Sequence, residues 1–262
     1  MTSENLLRKK LKNHTPTVAT RIWSTNPIVT EAVGITGNFD YIEFAAEYAA
    51  FTQRDLEDIC RAAELHNLAS IIKVDFMNRG YIAQKAIAAG FQGVLFVDHE
   101  TPDEVRESIR MTMPATPECG GRMGYPSRRF IGGQYLYPME QAACIKDVVR
   151  CFMIEKKKAL DNIEEICSIP GVDMVQFGSA DWGMNQGFNR ADHMDDCRAA
   201  ERKMIACALR HGVRPRCEIT DPEAAEYYYS LGVRDFCLND EMSCLRRFWE
   251  QDGKRLRGIA FR

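Results

Sequence analysis

Short apolar runs alternate with amphipathic stretches from one end of this 262-residue chain to the other. Runs rich in β-branched and aromatic residues predict strands at Thr17 to Trp23, Tyr41 to Ala46, Ser70 to Val74, Gly93 to Val97, Arg150 to Ile154, Asp173 to Gly178, Arg214 to Ile219 and Asp235 to Asn239. Helical periodicity predicts helices at Asp55 to Leu65, Ile82 to Ala89, Asp103 to Met111, Lys157 to Cys167, Cys197 to Arg210 and Pro222 to Leu231. Two carry start signals, Thr101-Pro102-Asp103-Glu104 and Thr220-Asp221-Pro222-Glu223, each a capping residue ahead of proline in the first turn. Gly90, Gly212 and Gly232 each follow a helix and precede an apolar strand entry, the place of a left-handed exit. Eight β/α units in this length fit a closed (β/α)8 barrel, one domain over residues 1–262, better than an open doubly wound sheet. The main irregularity is Pro114 to Met139, rich in Gly, Pro and Arg, where Tyr125, Phe130, Tyr135 and Tyr137 argue for packing at the barrel mouth or at a subunit contact.

Composition narrows the function. With 45% hydrophobic residues the chain can bury one large core, and a net charge of −3 with acids and bases interspersed gives no nucleic-acid footprint and no basic membrane-seeking face. No run approaches the ~20 apolar residues that span a bilayer, and Met1-Thr2-Ser3-Glu4-Asn5 lacks signal-peptide character, so a cytoplasmic enzyme of small molecules is expected. The ten cysteines form no C-x-x-C pair and fall mostly in apolar segments. They read as core thiols rather than disulfides or zinc ligands, and no His-x-x-x-His pair occurs.

The stretch Val175-Gln176-Phe177-Gly178-Ser179-Ala180-Asp181-Trp182 runs from an apolar strand through small residues to a carboxylate. Cys151-Phe152-Met153-Ile154-Glu155 likewise ends in an acid, and Asp181 follows Glu155 by 26 residues, the spacing of one strand-helix-strand unit. Parallel strands converge at their carboxyl ends, where two carboxylates can hold a hard divalent cation such as Mg²⁺ or Mn²⁺. The alternative is that each acid caps the helix that follows it.

With these features in hand the chain resembles the HpcH/HpaI aldolase family, metal-dependent pyruvate aldolases on a (β/α)8 barrel. The resemblance rests on Gly37-Asn38-Phe39-Asp40-Tyr41, Pro102-Asp103-Glu104-Val105, Gly121-Arg122-Met123-Gly124, Ile154-Glu155, and Gly171-Val172-Asp173 leading into Gly178-Ser179-Ala180-Asp181. It implies that Glu155 and Asp181 bind a divalent metal (Mg, Mn or Co), and that the backbone at Ser179 and Ala180 receives the carboxylate of a 2-oxo acid. It also implies a homo-oligomer, a hexamer built as a trimer of dimers with exchanged C-terminal helices. Met242 to Gln251, with Leu245, Phe248 and Trp249, offers a face for that exchange, and an intramolecular helix is the plain alternative.

The departures bear on the chemistry. Where the family's second strand runs into Asp-x-Glu-His, this chain reads Ala45-Ala46-Glu47-Tyr48. Where its third strand ends in an arginine, this chain has Lys73 in Ile71-Ile72-Lys73-Val74-Asp75, and a glutamine two residues before the metal glutamate is Met153. Lys73 is expected to stabilise an oxyanion as a cation, or to act as base if its pKa is depressed. Tyr48 is expected to hydrogen-bond an oxyanion or relay a proton, or simply to fill the space of the lost histidine. Glu47 is expected to support metal-bound water or to form a salt bridge, and Asp75 to tune Lys73 or to cap a helix. Arg122 is expected to receive a second carboxylate at the mouth, across a subunit interface, or simply to be solvated, with Arg128 and Arg129 as weaker candidates. Trp182 is expected to pack the rim.

The leading expectation is an aldolase acting on a (4-hydroxy-)2-oxo acid through a pyruvate-type enolate held at the metal. Its rivals are a biosynthetic transferase that directs the same enolate to another electrophile, and a metabolite-binding paralogue that has lost turnover.

Overall fold

A computed structural model describes residues 4–125 and 136–261. Eight parallel strands close into a barrel in sequence order, β1 Thr17–Ile22, β2 Tyr41–Phe44, β3 Ala69–Val74, β4 Gly93–Phe96, β5 Val149–Ile154, β6 Met174–Phe177, β7 Arg214–Ile219 and β8 Asp235–Asp240, with β8 pairing back onto β1. All eight expected strands are present. Because side chains alternate along a strand, each contributes to two cores. Ala69 and Ile71 of β3, and Val149, Cys151 and Met153 of β5, fill the barrel interior. Ile72, Val74, Phe152 and Ile154 face the surrounding helices. A helix not expected from the sequence, Leu6–Lys12, plugs the barrel floor with Leu7 and Leu11, and Asn5 fastens it through its Nδ2 to the Gln92 carbonyl at 2.7 Å.

Gly90, Gly212 and Gly232 all have positive φ, and Thr101 begins the helix Pro102–Thr112 with a reciprocal capping box to Glu104. The second start signal fails. Asp221 accepts from the Glu223 N–H in a turn, and the helix is Ala224–Ser230, with no side-chain cap. The single helix expected from Lys157 to Cys167 is two, Lys157–Asp161 and Ile163–Ser168, broken at Asn162, whose Nδ2 donates instead to the Glu100 carbonyl. The described part of the 114–139 segment is not at the mouth. Arg122 and Met123 donate from their backbone to Arg110 and Met113 at the carboxyl end of Pro102–Thr112, and that helix runs antiparallel to the strands, so its end lies at the barrel floor. Arg128, Arg129, Phe130 and Tyr135 lie outside the described residues.

Inside the barrel the apolar core is interrupted by a buried ion pair that the sequence pattern does not announce. Glu43 of β2 and Arg216 of β7 are both fully buried and 2.5 Å apart, with Arg21 Nε 2.8 Å from the second Glu43 oxygen and Arg216 Nε donating to the Tyr41 hydroxyl at 2.7 Å. Burial alone would raise the Glu43 carboxyl, but Arg216 and Arg21 outweigh it and hold the pKa at about 2. Removing one charge from such a pair strands the other, so Glu43→Gln is expected to cost roughly 3–5 kcal/mol in urea unfolding. A Glu43→Met/Arg216→Met double variant should recover most of that loss.

Among the described residues no helix is long and apolar enough to cross a membrane. The last helix, Glu241–Ala260, has no buried residue and leaves Met242, Leu245, Phe248, Trp249, Leu256 and Ile259 exposed, while its first residue, Glu241, accepts from the Trp23 and Ser24 N–H groups of the same chain.

Candidate metal centre

The inward parity of Cys151 and Met153 continues to Glu155, one residue past the end of β5, so its carboxylate enters the barrel mouth while only 2% exposed. On β6 the inward parity of Met174 and Gln176 continues to Gly178. A Cβ at Gly178 would lie 2.5 Å from Glu155 Oε2 and 2.8 Å from Met153 Cε. With φ at −99°, it is this close approach and not the backbone conformation that demands glycine. The helix Ser179–Gln186 begins at once, with Asp181 in its first turn.

Neither acid caps a helix. The residues flanking the two helix starts, Lys156 and Gly178, make no side-chain capping bond, and Glu155 Oε1 instead accepts from the Asp98 N–H at 2.8 Å. Burial pushes the Glu155 carboxyl up to about 7; the Asp98 N–H and Lys73 pull it down, while the charges of Asp181 and Asp98 push it further up. A desolvated carboxylate beside a second one is a pair of hard oxygen donors short of positive charge, and these residues fit a divalent cation.

The turn after β4 supports Glu155. Asp98 has φ +59°, which aims its N–H at Glu155, and its carboxylate pairs with Lys156 at 2.6 Å. The next residue, His99, is buried, with Nδ1 2.7 Å from the Val97 carbonyl and Nε2 2.7 Å from Ser108 Oγ. Burial lowers its pKa to about 4, so it is a neutral anchor. The sequence pattern marks Gly178 only as one of the small residues before Asp181, and gives no sign of Asp98 or His99.

Lys73 continues the inward parity of Ala69 and Ile71, and its Nζ lies 2.5 Å from Glu47 Oε2 and 5.9 Å from the centroid of the Tyr48 ring. Burial would lower the Lys73 pKa, but Glu47, then Glu155 and Glu43, overcome it and leave it raised. In the metal-free chain the ammonium is therefore the favoured form, which supports the cation role over the base. Glu47 is the salt-bridge partner rather than an independent acid. The Tyr48 phenol is raised as well, by desolvation and by its hydrogen bond with Glu47, so it remains a proton donor although its ring is exposed.

Lys73, Ser179, Ala180 and Asp181 line one cavity of about 460 Å³, together with Arg21, Arg190 and Arg198. Arg190 Nη1 donates to Ser179 Oγ at 3.2 Å. Two expectations separate from this group. Asp75 accepts from the Asn78 N–H at 2.8 Å and shapes the turn before Arg79–Ala89. Arg122 sits at the barrel floor, so within one chain it does not join the mouth. Trp182 packs the rim between Phe177 and Phe188, at ring separations of 5.8 and 5.6 Å.

A closed β/α barrel with a buried glutamate, an aspartate and a lysine gathered at the strand ends is the frame of an enzyme acting on small anions. The family model of the HpcH/HpaI aldolase/citrate lyase family matches residues 22–219; the chain belongs to that family, and is an enzyme of the lyase class. It is 23% identical over 256 residues to a hydroxypyruvate/pyruvate aldolase of Paraburkholderia phytofirmans, covering 95% of this chain and 96% of that one. Among solved structures it resembles the citrate synthase SbnG at a TM-score of 0.85 and 18% identity, over 99% of this chain and 100% of the other. It also resembles the CitE protein of Mycobacterium tuberculosis in complex with magnesium and pyruvate, at 0.57 and 12%, over 86% and 85%. At these identities the structural likenesses speak to the fold.

Proposed function

We propose that this protein is a divalent-metal-dependent carbon–carbon lyase that cleaves or forms a (4-hydroxy-)2-oxo acid. The carrying observation is Glu155 desolvated against Gly178 with Asp181 beside it and neither acid used as a cap. Glu155 and Asp181 would hold Mg²⁺, Mn²⁺ or Co²⁺. When bound, such a cation polarises the 2-oxo group, so that charge can develop on its oxygen as the carbon–carbon bond breaks.

The remaining steps belong to the chain's own residues. Ser179 and Ala180, at the start of their helix, offer backbone N–H groups to the substrate carboxylate. The Lys73 ammonium stabilises the negative charge on the oxo oxygen. In cleavage the C4 hydroxyl proton passes to the Glu47 carboxylate as the C4 carbonyl forms, the C3–C4 pair moves into the enolate, and the same proton returns through Tyr48 to C3. Tyr48, held protonated beside Glu47, is the donor for that return. Measuring pyruvate release from a panel of 4-hydroxy-2-oxo acids with each of the three metals tests this reading. Turnover of at least one is expected, and none with any metal would overturn it in favour of a binding paralogue.

A second reading has its own observation. No histidine is among the residues that line the mouth cavity, and a phenol held protonated is a poor base. That favours an enolate generated without removing a C–H proton, as in decarboxylation of oxaloacetate, and then passed to an acceptor by a transferase. Product analysis with oxaloacetate and candidate acceptors separates the two, since the lyase can join the enolate only to an aldehyde, as a 4-hydroxy-2-oxo acid, whereas the transferase joins it to another electrophile.

Arg190 and Arg198 line the cavity along with Arg21 and Lys73, facing Asp181, Glu201 and Glu218, and the two further arginines lead us to expect a substrate with a second acidic group. Arg198→Ala should raise KM for diacids roughly tenfold, about 1.4 kcal/mol, with kcat little changed and no effect on a monoacid. The exposed apolar face of Glu241–Ala260 supports a homo-oligomer in which it covers a neighbouring copy and in which a neighbour's Arg122 reaches the mouth. Light scattering that returns the mass of one chain would refute this.

A further inference from the structure

On the outer face of the barrel, away from the mouth, two packed helices bring three metal-binding side chains together, with a fourth, Cys167, in contact with one of them. Cys207 and His211 lie four residues apart at the end of Met194–Arg210, and Glu164 and Cys167 three apart on Ile163–Ser168, so each pair shares one helix face. One donor atom each from Glu164, Cys207 and His211 lie within 4.8 Å of one another. His211 Nε2 is 2.8 Å from Glu164 Oε2, and the Cys207 thiol is in hydrogen-bond contact with both Glu164 and Cys167. Cys207 and Cys167 are buried, while His211 and Glu164 open to solvent and leave a path of entry.

We propose that Cys167, Cys207, His211 and Glu164 form a structural zinc site that ties these two helices together. Two thiolates, an imidazole and a carboxylate are a set that selects zinc over magnesium, and Cys167, turned in from its contact with Cys207 as the fourth donor, would close the site. On binding, each thiol releases its proton to solvent, and His211 binds through Nε2 while Nδ1 keeps its hydrogen. Zn²⁺ with two thiolates and one carboxylate carries one net negative charge, and Arg210, already bonded to Glu164 Oε1, neutralises it and orients that ligand. The two helices follow β5 and β6, the strands that present Glu155 and Asp181, so the metal would brace the units that carry the mouth acids.

Titrating Co²⁺ into the reduced full-length protein tests this independently of the mouth, whose oxygen donors give no sulfur-to-cobalt charge-transfer absorption. The expected result is a near-ultraviolet thiolate band that saturates at one cobalt per chain, is displaced by Zn²⁺, survives in Glu155→Ala and disappears in Cys207→Ser. Since Cys207→Ser can disturb the core, His211→Ala at the exposed rim is the second variant, and the band should weaken and shift there. A missing band in the wild type, or one unchanged in both variants, would overturn the proposal. So would a Cys167–Cys207 disulfide that persists under mild reductant and leaves no thiol for the metal.

Discussion

Glu155→Gln is expected to abolish divalent-metal binding by calorimetry and to lower kcat/KM by about 10³-fold or more, the several kcal/mol of charge stabilisation that the cation supplies. The substitution is nearly isosteric and replaces an acid already partly neutral near pH 7, so the fold should survive. Asp181→Asn should act in the same direction. The effect also depends on pH in a fixed sense. Burial holds the metal-free Glu155 pKa at about 7, above its ordinary 4.5, so a proton competes with the metal below pH 7. Affinity should fall about tenfold per pH unit there and level off above it. In the metal-free protein this group's contribution to stability is full below 4.5 and is lost as pH rises through about 7. Metal should therefore raise the melting temperature more at pH 8 than at pH 6. Equal stabilisation at both would show that Glu155 is not a ligand.

Lys73→Met is expected to lower kcat by roughly 10²–10³, the cost of removing one preorganised donor from a developing oxyanion, with a smaller change in KM. Lys73→Arg should restore part of the rate because it keeps the charge. Since the Lys73 pKa is raised above its ordinary 10.5, its charge persists throughout the neutral range and is lost only as pH climbs beyond that value. No rate-limiting ionisation between pH 7 and 10 should vanish in Lys73→Arg. If one does, Lys73 is a base. Restoration of the rate by Lys73→Arg without such a change confirms the cation role.

The barrel was legible because the strands stand out as short apolar runs set off by a glycine before them or a capping residue after them, as at Gly90-Phe91 and Thr101-Pro102 on either side of Gly93 to Val97. The two acids proposed to hold a metal stood out for a related reason: each follows directly on an apolar run, 26 residues apart, the spacing of one strand-helix-strand unit. What escaped is what pattern reading treats as noise. Glu43 within Tyr-Ile-Glu-Phe reads as a solvent-facing position, yet in a closed barrel the second face of a strand is also interior, and Arg216 from five strands away completes it. Gly178 reads as one more small residue until Glu155 is seen against it. Arg122 lies in a motif that matches the family, but sequence says nothing of which end of the barrel a loop visits. The same limit hid Cys207 and His211, a pair outside the usual C-x-x-C and His-x-x-x-His spacings whose partners come from another helix.

Crystals grown with Mn²⁺ and oxalate provide the most direct test of the paired acids. The account predicts one manganese anomalous peak at the barrel mouth, bonded at about 2.0–2.6 Å to carboxylate oxygens of both Glu155 and Asp181, with oxalate on the Ser179 and Ala180 amides and Lys73 alongside. Manganese bound elsewhere, with the Glu155 carboxylate turned away from Asp181, would contradict it.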